Sequence, residues 1–277
     1  MAYKDILVQI DAAASPLRYD IAADLAARSG GRVTGVFLKT TLINQYNNIG
    51  TIGYLPPEDL NRLIRENDEG QAQDAATSFE ALKAAAGAAK AECGSRMVGG
   101  DIPDDLIGLA QTADLVILPP PLLHPAYSVH ASAVDICLAG CPVLLTPAEV
   151  ARTRIGEKAL LAWNGSRESA RALRDALPLL APGASVEVRI AQPKDADRDD
   201  GPNLKAHLER HGFGANVVEV EEGRESVADW LKAEAARTGC DMIVMGLYGH
   251  NRLREFVLGG VSREMLHNPS LPLLISH

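Results

Sequence analysis

The 277-residue chain is 47% hydrophobic, 23% charged and only 4% aromatic, as expected of a soluble globular protein with an Ala, Leu, Val and Ile core. A formal net charge of -9 argues against a general nucleic-acid or anionic-membrane surface, while leaving a small phosphate ligand open, because backbone dipoles can hold one. No apolar run approaches a membrane span, the start MAYKDILVQI lacks signal-peptide regions, and the four cysteines form no CxxC, so a cytoplasmic protein with reduced thiols is expected.

In chain order, KDILVQID is a short apolar run ending in Asp11, and a helix follows in which Leu17, Ile21, Leu25 and Ala26 recur at helical spacing until Gly30 and Gly31 stop it. RVTGVFL reads as a second strand. Residues 40 to 71 then form an insertion, read as a loop plus a short helix from Pro57, ahead of the helix AATSFEALKAAAGAAKA. The half closes with DDLIGLAQTADLVILPPP, a helix ASAVDICLAG and the strand CPVLLTP. TPAEVARTRIGE, residues 146 to 157, links it to a second half that repeats the pattern: EKALLAWN, GSRESARALRDALPLLAPG, SVEVRIAQP, then ESVADWLKAEAARTGCDMIVMGLYG, VSREMLHN and LPLLIS. Asp11 falls on Asn164 and Ile10 on Trp163. Alternating strands and helices predict α/β architecture, with two tandem doubly wound parallel sheets, in domains 1–147 and 155–277.

In such sheets ligands bind outside the carboxyl ends of the strands. Gly246 follows the apolar strand DMIVM, and Gly259 and Gly260 immediately precede the helix VSREML. Glycine lets backbone approach a ligand closely, and the amides of Val261 and Ser262 carry the positive end of the helix dipole. Four glycines at these two places predict an anion cradle, most naturally for phosphate. The first half lacks it, having PPPLLHPAYSVH where the second has GLYG, and its prolines delete amide donors.

Gly246-x2-Gly249-x9-Gly259, with a first strand ending in Asp or Asn and a closing P-[VL]-L strand, resembles the nucleotide-binding signature of the universal stress protein family, in two tandem copies across the whole chain. The resemblance implies a Rossmann-like fold of the adenine-nucleotide alpha hydrolase type and a stress-response protein binding ATP or another adenine nucleotide, with Mg as an allowed counter-ion. It places Gly246, Gly249, Gly259, Gly260, Val261 and Ser262 along the phosphates and ribose, while His250, by its position in the loop between the glycines, is a candidate to touch a polyphosphate tail or to face solvent. Asn164 falls at the adenosine end, and Ile190 or Ala191 near the base. Two residues depart from the family pattern: Gly260 stands where ATP-binding members carry Ser or Thr, and Asn164 replaces Asp. The family pairs domains through their last strands, so VLLTP and PLLIS are expected to join as an intramolecular pseudo-dimer, with further homo-oligomers allowed.

No Walker loop, G-x-G-x-x-G or nucleophile elbow is present, and no general base can be assigned; slow ATP hydrolysis is the most that is expected. Two other readings stay open: an adenylyl-transferring enzyme of this architecture, needing metal-binding acids near the glycines, and a scaffold without nucleotide. His207 and His211, one helical turn apart, are read as a solvated helix face. Ser166 is read as the cap of the helix it opens, and Cys137 and Cys141 as core.

Overall fold

A computed structural model describes residues 2–11, 16–39, 56–99, 102–120, 133–147, 152–191, 200–219, 226–247 and 260–277. The first half runs β1 (Asp5–Ile10), α1 (Pro16–Ser29), β2 (Arg32–Lys39), α2 (Pro57–Ala89), β3 (Glu92–Gly99), α3 (Ile102–Ala110), β4 (Leu115–Leu118), α4 (Ala133–Leu138) and β5 (Val143–Leu145). The second runs β6 (Lys158–Trp163), α5 (Arg167–Ala176), β7 (Ser185–Ile190), α6 (Asp200–Arg210), β8 (Gly214–Glu219), α7 (Val227–Thr238), β9 (Met242–Gly246), α8 (Gly260–His267) and β10 (Leu273–Ser276).

One ten-stranded sheet, ordered β3-β2-β1-β4-β5-β10-β9-β6-β7-β8, contains both halves. Strands within each half are parallel, and β5 meets β10 antiparallel, with Leu273 opposite Leu145 and Ile275 opposite Val143. The expected pairing of the last strands is therefore present within one chain. Because that single junction is antiparallel, the carboxyl ends of the two halves point to opposite rims of the sheet.

Both faces of the sheet are covered, which is why LVIL and MIVM are continuous apolar runs. One core layer holds Ile6, Val8, Leu144, Leu161, Val244 and Leu274 beneath α1, α2, α5 and α6; the other holds Val116, Val143, Leu160, Ile243 and Ile275 beneath the remaining helices. Cys137 and Cys141 are buried, as expected. Burial pushes the Cys141 thiol up to about 12 and Cys137 higher still, so neither is a nucleophile. Polar contacts also cross the junction: Tyr3 Oη donates to the Asp175 carbonyl, and Arg28 donates to the carbonyls of Ile155 (3.0 Å) and Leu179 (3.3 Å).

An aspartate clip marks the internal repeat at the opposite ends of the strands. Asp241, just before β9, accepts hydrogen bonds from the amides of Gly156 (2.8 Å), Glu157 (2.8 Å) and Lys158 (3.0 Å) at the start of β6. Asp114, just before β4, does the same for Lys4 and Asp5 at the start of β1.

The insertion differs from expectation. Residues 40–55 lie outside the described residues, but Pro57 opens one continuous helix of 33 residues rather than a short separate one. Glu58 and Asp59 suit its first turn, and Gly70 faces open space, so a single glycine does not break it. At 1.5 Å per residue α2 is about 50 Å long, against about 26 Å for the eight-residue β2. Lys39, ending β2, pairs with Asp68 at 3.0 Å, so the helix start projects past the first half's strand tips. No described helix is long and apolar enough to cross a membrane.

Candidate functional site

In the second half, β6 lies between β9 and β7, and the chain leaves it towards β7 and β8 before returning to β9 on the other side. The gap between the carboxyl ends of β6 and β9 is thus a topological switch point, where ligands of open α/β sheets bind. Three structural features meet at it: the tip Trp163–Asn164, the start of α5 and Gly246 ending β9.

Asn164 Oδ1 accepts from the Ser166 amide at 3.1 Å, in a turn that Gly165 makes possible with φ of 72°. Ser166 Oγ accepts from the Ser169 amide at 3.1 Å and caps α5, as expected. Trp163 is half-buried, with Nε1 donating to Asp200 Oδ2 at 2.8 Å. Ile190 is buried in the core beside it and offers only backbone, while exposed Ala191 donates to the Trp163 carbonyl at 2.8 Å.

Gly246 has a reason of its own to lack a side chain. A Cβ there would sit 2.4 Å from the Glu168 carbonyl carbon, 2.5 Å from the Ser169 nitrogen and 2.8 Å from Glu168 Cβ. Strand β9 therefore ends hard against the first turn of α5, and this close packing already requires glycine. Gly249, His250 and Gly259 lie outside the described residues. Gly260 begins α8, one residue earlier than the sequence suggests; Val261 is half-buried, and Ser262 is 8% exposed, so it can offer its amide more readily than its hydroxyl.

Residues 157–277 match the family model described as the universal stress protein family. The second half of the chain is a universal stress protein domain. Among solved structures, a universal stress protein from Archaeoglobus fulgidus aligns with 99% of this chain and 97% of its own, at 13% identity and a TM-score of 0.74. A functionally unknown protein from Pseudomonas aeruginosa aligns with 99% of this chain and 92% of its own, at 17% identity and a TM-score of 0.56. Identities this low establish the shared fold and nothing finer. No curated protein matches the chain.

Within the universal stress protein domain, sequence reading missed Glu168 and Ser276. Glu168 looks like an ordinary acid in a first helical turn, yet it is 9% exposed, and it pairs with Arg167 at 3.1 Å. Ser276 ends β10 beside Gly246 and is 1% exposed; its Oγ has no hydrogen-bond partner among the described residues. The spacing of Glu168 with Ala172 and Ala176 was the available signal, since it puts the acid on the helix's buried stripe.

In the first half the chain's own side chains engage the equivalent strand tip. Arg18, 5% exposed, donates to Asp11 Oδ2 (3.0 Å), to the Gln9 carbonyl (3.3 Å) and to Thr146 Oγ1 (3.2 Å). Asp11, at the position of Asn164, is thereby held by the chain itself.

His207 is not on a solvated face as expected. It is half-buried against His211, ring centroids 4.7 Å apart, and its Nε2 is buried and without a partner among the described residues. Burial, His211 and the guanidiniums of Arg210 and Arg174 all push its pKa down, towards the neutral imidazole. Among the described residues no group of three His, Cys, Asp or Glu could hold a metal.

Proposed function

We propose that the chain is a tandem universal stress protein, with domains 1–147 and 155–277, acting in the cytoplasm as a regulator of stress response. The C-terminal domain binds ATP or a related adenine nucleotide, and occupancy biases conformation or partner choice. What supports the reading is the Asn164 tip at the switch point of the half that matches the family model, where Gly246 packs on the start of α5. The free amides at the head of α8 suit a phosphate chain. Asn164 offers an NH2 to the nucleoside, and Trp163 stands next to it. Gly249, His250 and Gly259 complete the cradle in this reading, with Gly246 shaping it through its contact with α5. The N-terminal domain binds no nucleotide, because Arg18 and Asp11 already satisfy each other there.

Calorimetric titration of the full chain with ATP, before and after Gly259→Val, tests the proposal. Wild type binds, and the variant loses binding because a branched side chain fills the phosphate space. Equal affinity in both would refute the cradle.

A further inference from the structure

We infer that strand β3 is a docking edge for a second copy of this chain, the two β3 strands pairing antiparallel about a two-fold axis through Gly94. This surface is separate from the nucleotide site and does not depend on it. Strands β3 and β8 end the ten-stranded sheet, so among the described residues each pairs on one side only. The ladder fixes which backbone groups of β3 point outward. The Arg32 amide donates to the Lys4 carbonyl, so Arg32 faces β1 and Val33 faces β3. In a parallel ladder Val33 then bonds the residues that flank its register partner, Cys93. Glu92 and Gly94 therefore turn their backbone groups to β2, and Cys93, Ser95 and Met97 turn theirs outward. An eight-residue strand with a free row of amides and carbonyls is a template for another strand.

The side chains along this edge are poorly matched within the chain. Glu92, Gly94 and Arg96 lie on the sheet face of buried Val98. Arg96 is exposed and has no ion pair among the described residues. Glu92 meets only Arg32, at 4.0 Å, with 71% of its own side chain in solvent. On the other face Met97 is 53% exposed.

A second β3 supplies what is missing. With the axis at Gly94, Glu92 stands opposite Arg96 of the second copy and Arg96 opposite its Glu92, so opposite charges match at both ends. Gly94 meets Gly94 of the second copy as a non-hydrogen-bonded pair, where strands come closest, and neither brings a side chain. Arg32 lies across Gly94, its Nη2 2.7 Å from where a Cβ would stand, so each Arg32 comes between the Glu92 carboxylates of both copies. Cys93 exchanges backbone hydrogen bonds with Ser95 of the second copy, and Met97 falls on its Ala91. The opposite edge offers no such match: β8, GANVVE, carries Glu219 as its only charge, so pairing with itself joins no opposite charges. Head-to-tail pairing of β3 with β8 would leave an edge free at each end and grow open chains, whereas the two-fold pair closes on itself.

Sedimentation velocity of the full chain over a concentration series is decisive. Wild type dimerises with a Kd on the order of 10 μM, in the weak class of small interfaces. Arg96→Glu sets carboxylates opposite one another, Glu92→Arg sets guanidiniums opposite one another, and each weakens self-association at least about tenfold. An equimolar mixture of the two variants associates within about threefold of wild type, because every Glu again meets an Arg. Ser95→Pro gives up an outward amide and no bond to β2, so it loses the dimer with an unchanged circular dichroism spectrum. Wild type that stays monomeric up to about 300 μM overturns the docking edge, as does association that none of these variants alters. Single variants that weaken the dimer but do not restore it on mixing overturn the axis at Gly94.

Discussion

Replacing Gly246 with Ala separates a packing glycine from a ligand glycine. The new Cβ meets Glu168 and Ser169 at 2.4, 2.5 and 2.8 Å, and all three contacts are backbone or Cβ atoms that cannot rotate away. Ordinary carbon contacts lie near 3.5–4.0 Å, so α5 must retreat from β9 by about 1 Å. Helix α5 is held by the Ser166 cap and by the buried residues Ala172, Leu173 and Ala176, so the move disturbs a packed layer. Overpacking of this kind costs about 3 kcal/mol, the upper end of its usual range, because backbone is met rather than a flexible side chain. For a chain of this size that lowers Tm by roughly 6–12 °C in a ligand-free calorimetric scan. Gly70→Ala is the matched control: it adds a methyl in open space within α2 and should raise stability by about 0.5–1 kcal/mol. A Gly246→Ala protein melting within about 1 °C of wild type would refute the contact.

Asp241→Ala strips a carboxylate from three amides and should lower stability by about 3 kcal/mol in urea denaturation, with Asp114→Ala, which frees two more exposed amides, costing roughly half as much. Acid should weaken the second half through Glu187 and Glu234. Burial pushes Glu187 up, but hydrogen bonds from Asn216, Lys158 and Arg189 outweigh it and the net shift is downward; the hydrogen bond from Arg237 leads the downward shift of Glu234. Folded values below the unfolded 4.5 mean that this stabilisation is complete above that pH and fades as pH falls through the folded values. Between pH 7 and pH 4 the urea midpoint of wild type should therefore fall further than that of Glu187→Gln, and equal falls would contradict the assignment.

The sheet was legible because its strands are short apolar runs set between helical periodicities, and the closing strands VLL and LLIS announced the junction. Helix α2 was misread because a Pro-rich start and Gly70 look like punctuation, whereas neither breaks a solvated helix once it has begun. SVEVRI was read correctly as a strand, but its alternation suggests a wet face; Glu187 and Arg189 are only 5% and 2% exposed, since they neutralise each other under α7. Glycine spacing drew attention to the end of β9 but not to the reason for Gly246, which depends on a helix some eighty positions earlier in the chain. Glu168 and Ser276 stayed hidden for a similar cause, since burial by a distant element leaves no mark on local pattern.

The central claim is that one half of this pseudo-dimer takes up an adenine nucleotide and the other is closed by its own ion pair. Equilibrium dialysis of the wild-type chain against labelled ATP with Mg2+, carried to saturation, tests it most directly. The account predicts one nucleotide per chain; a stoichiometry of zero, or of two, would contradict it.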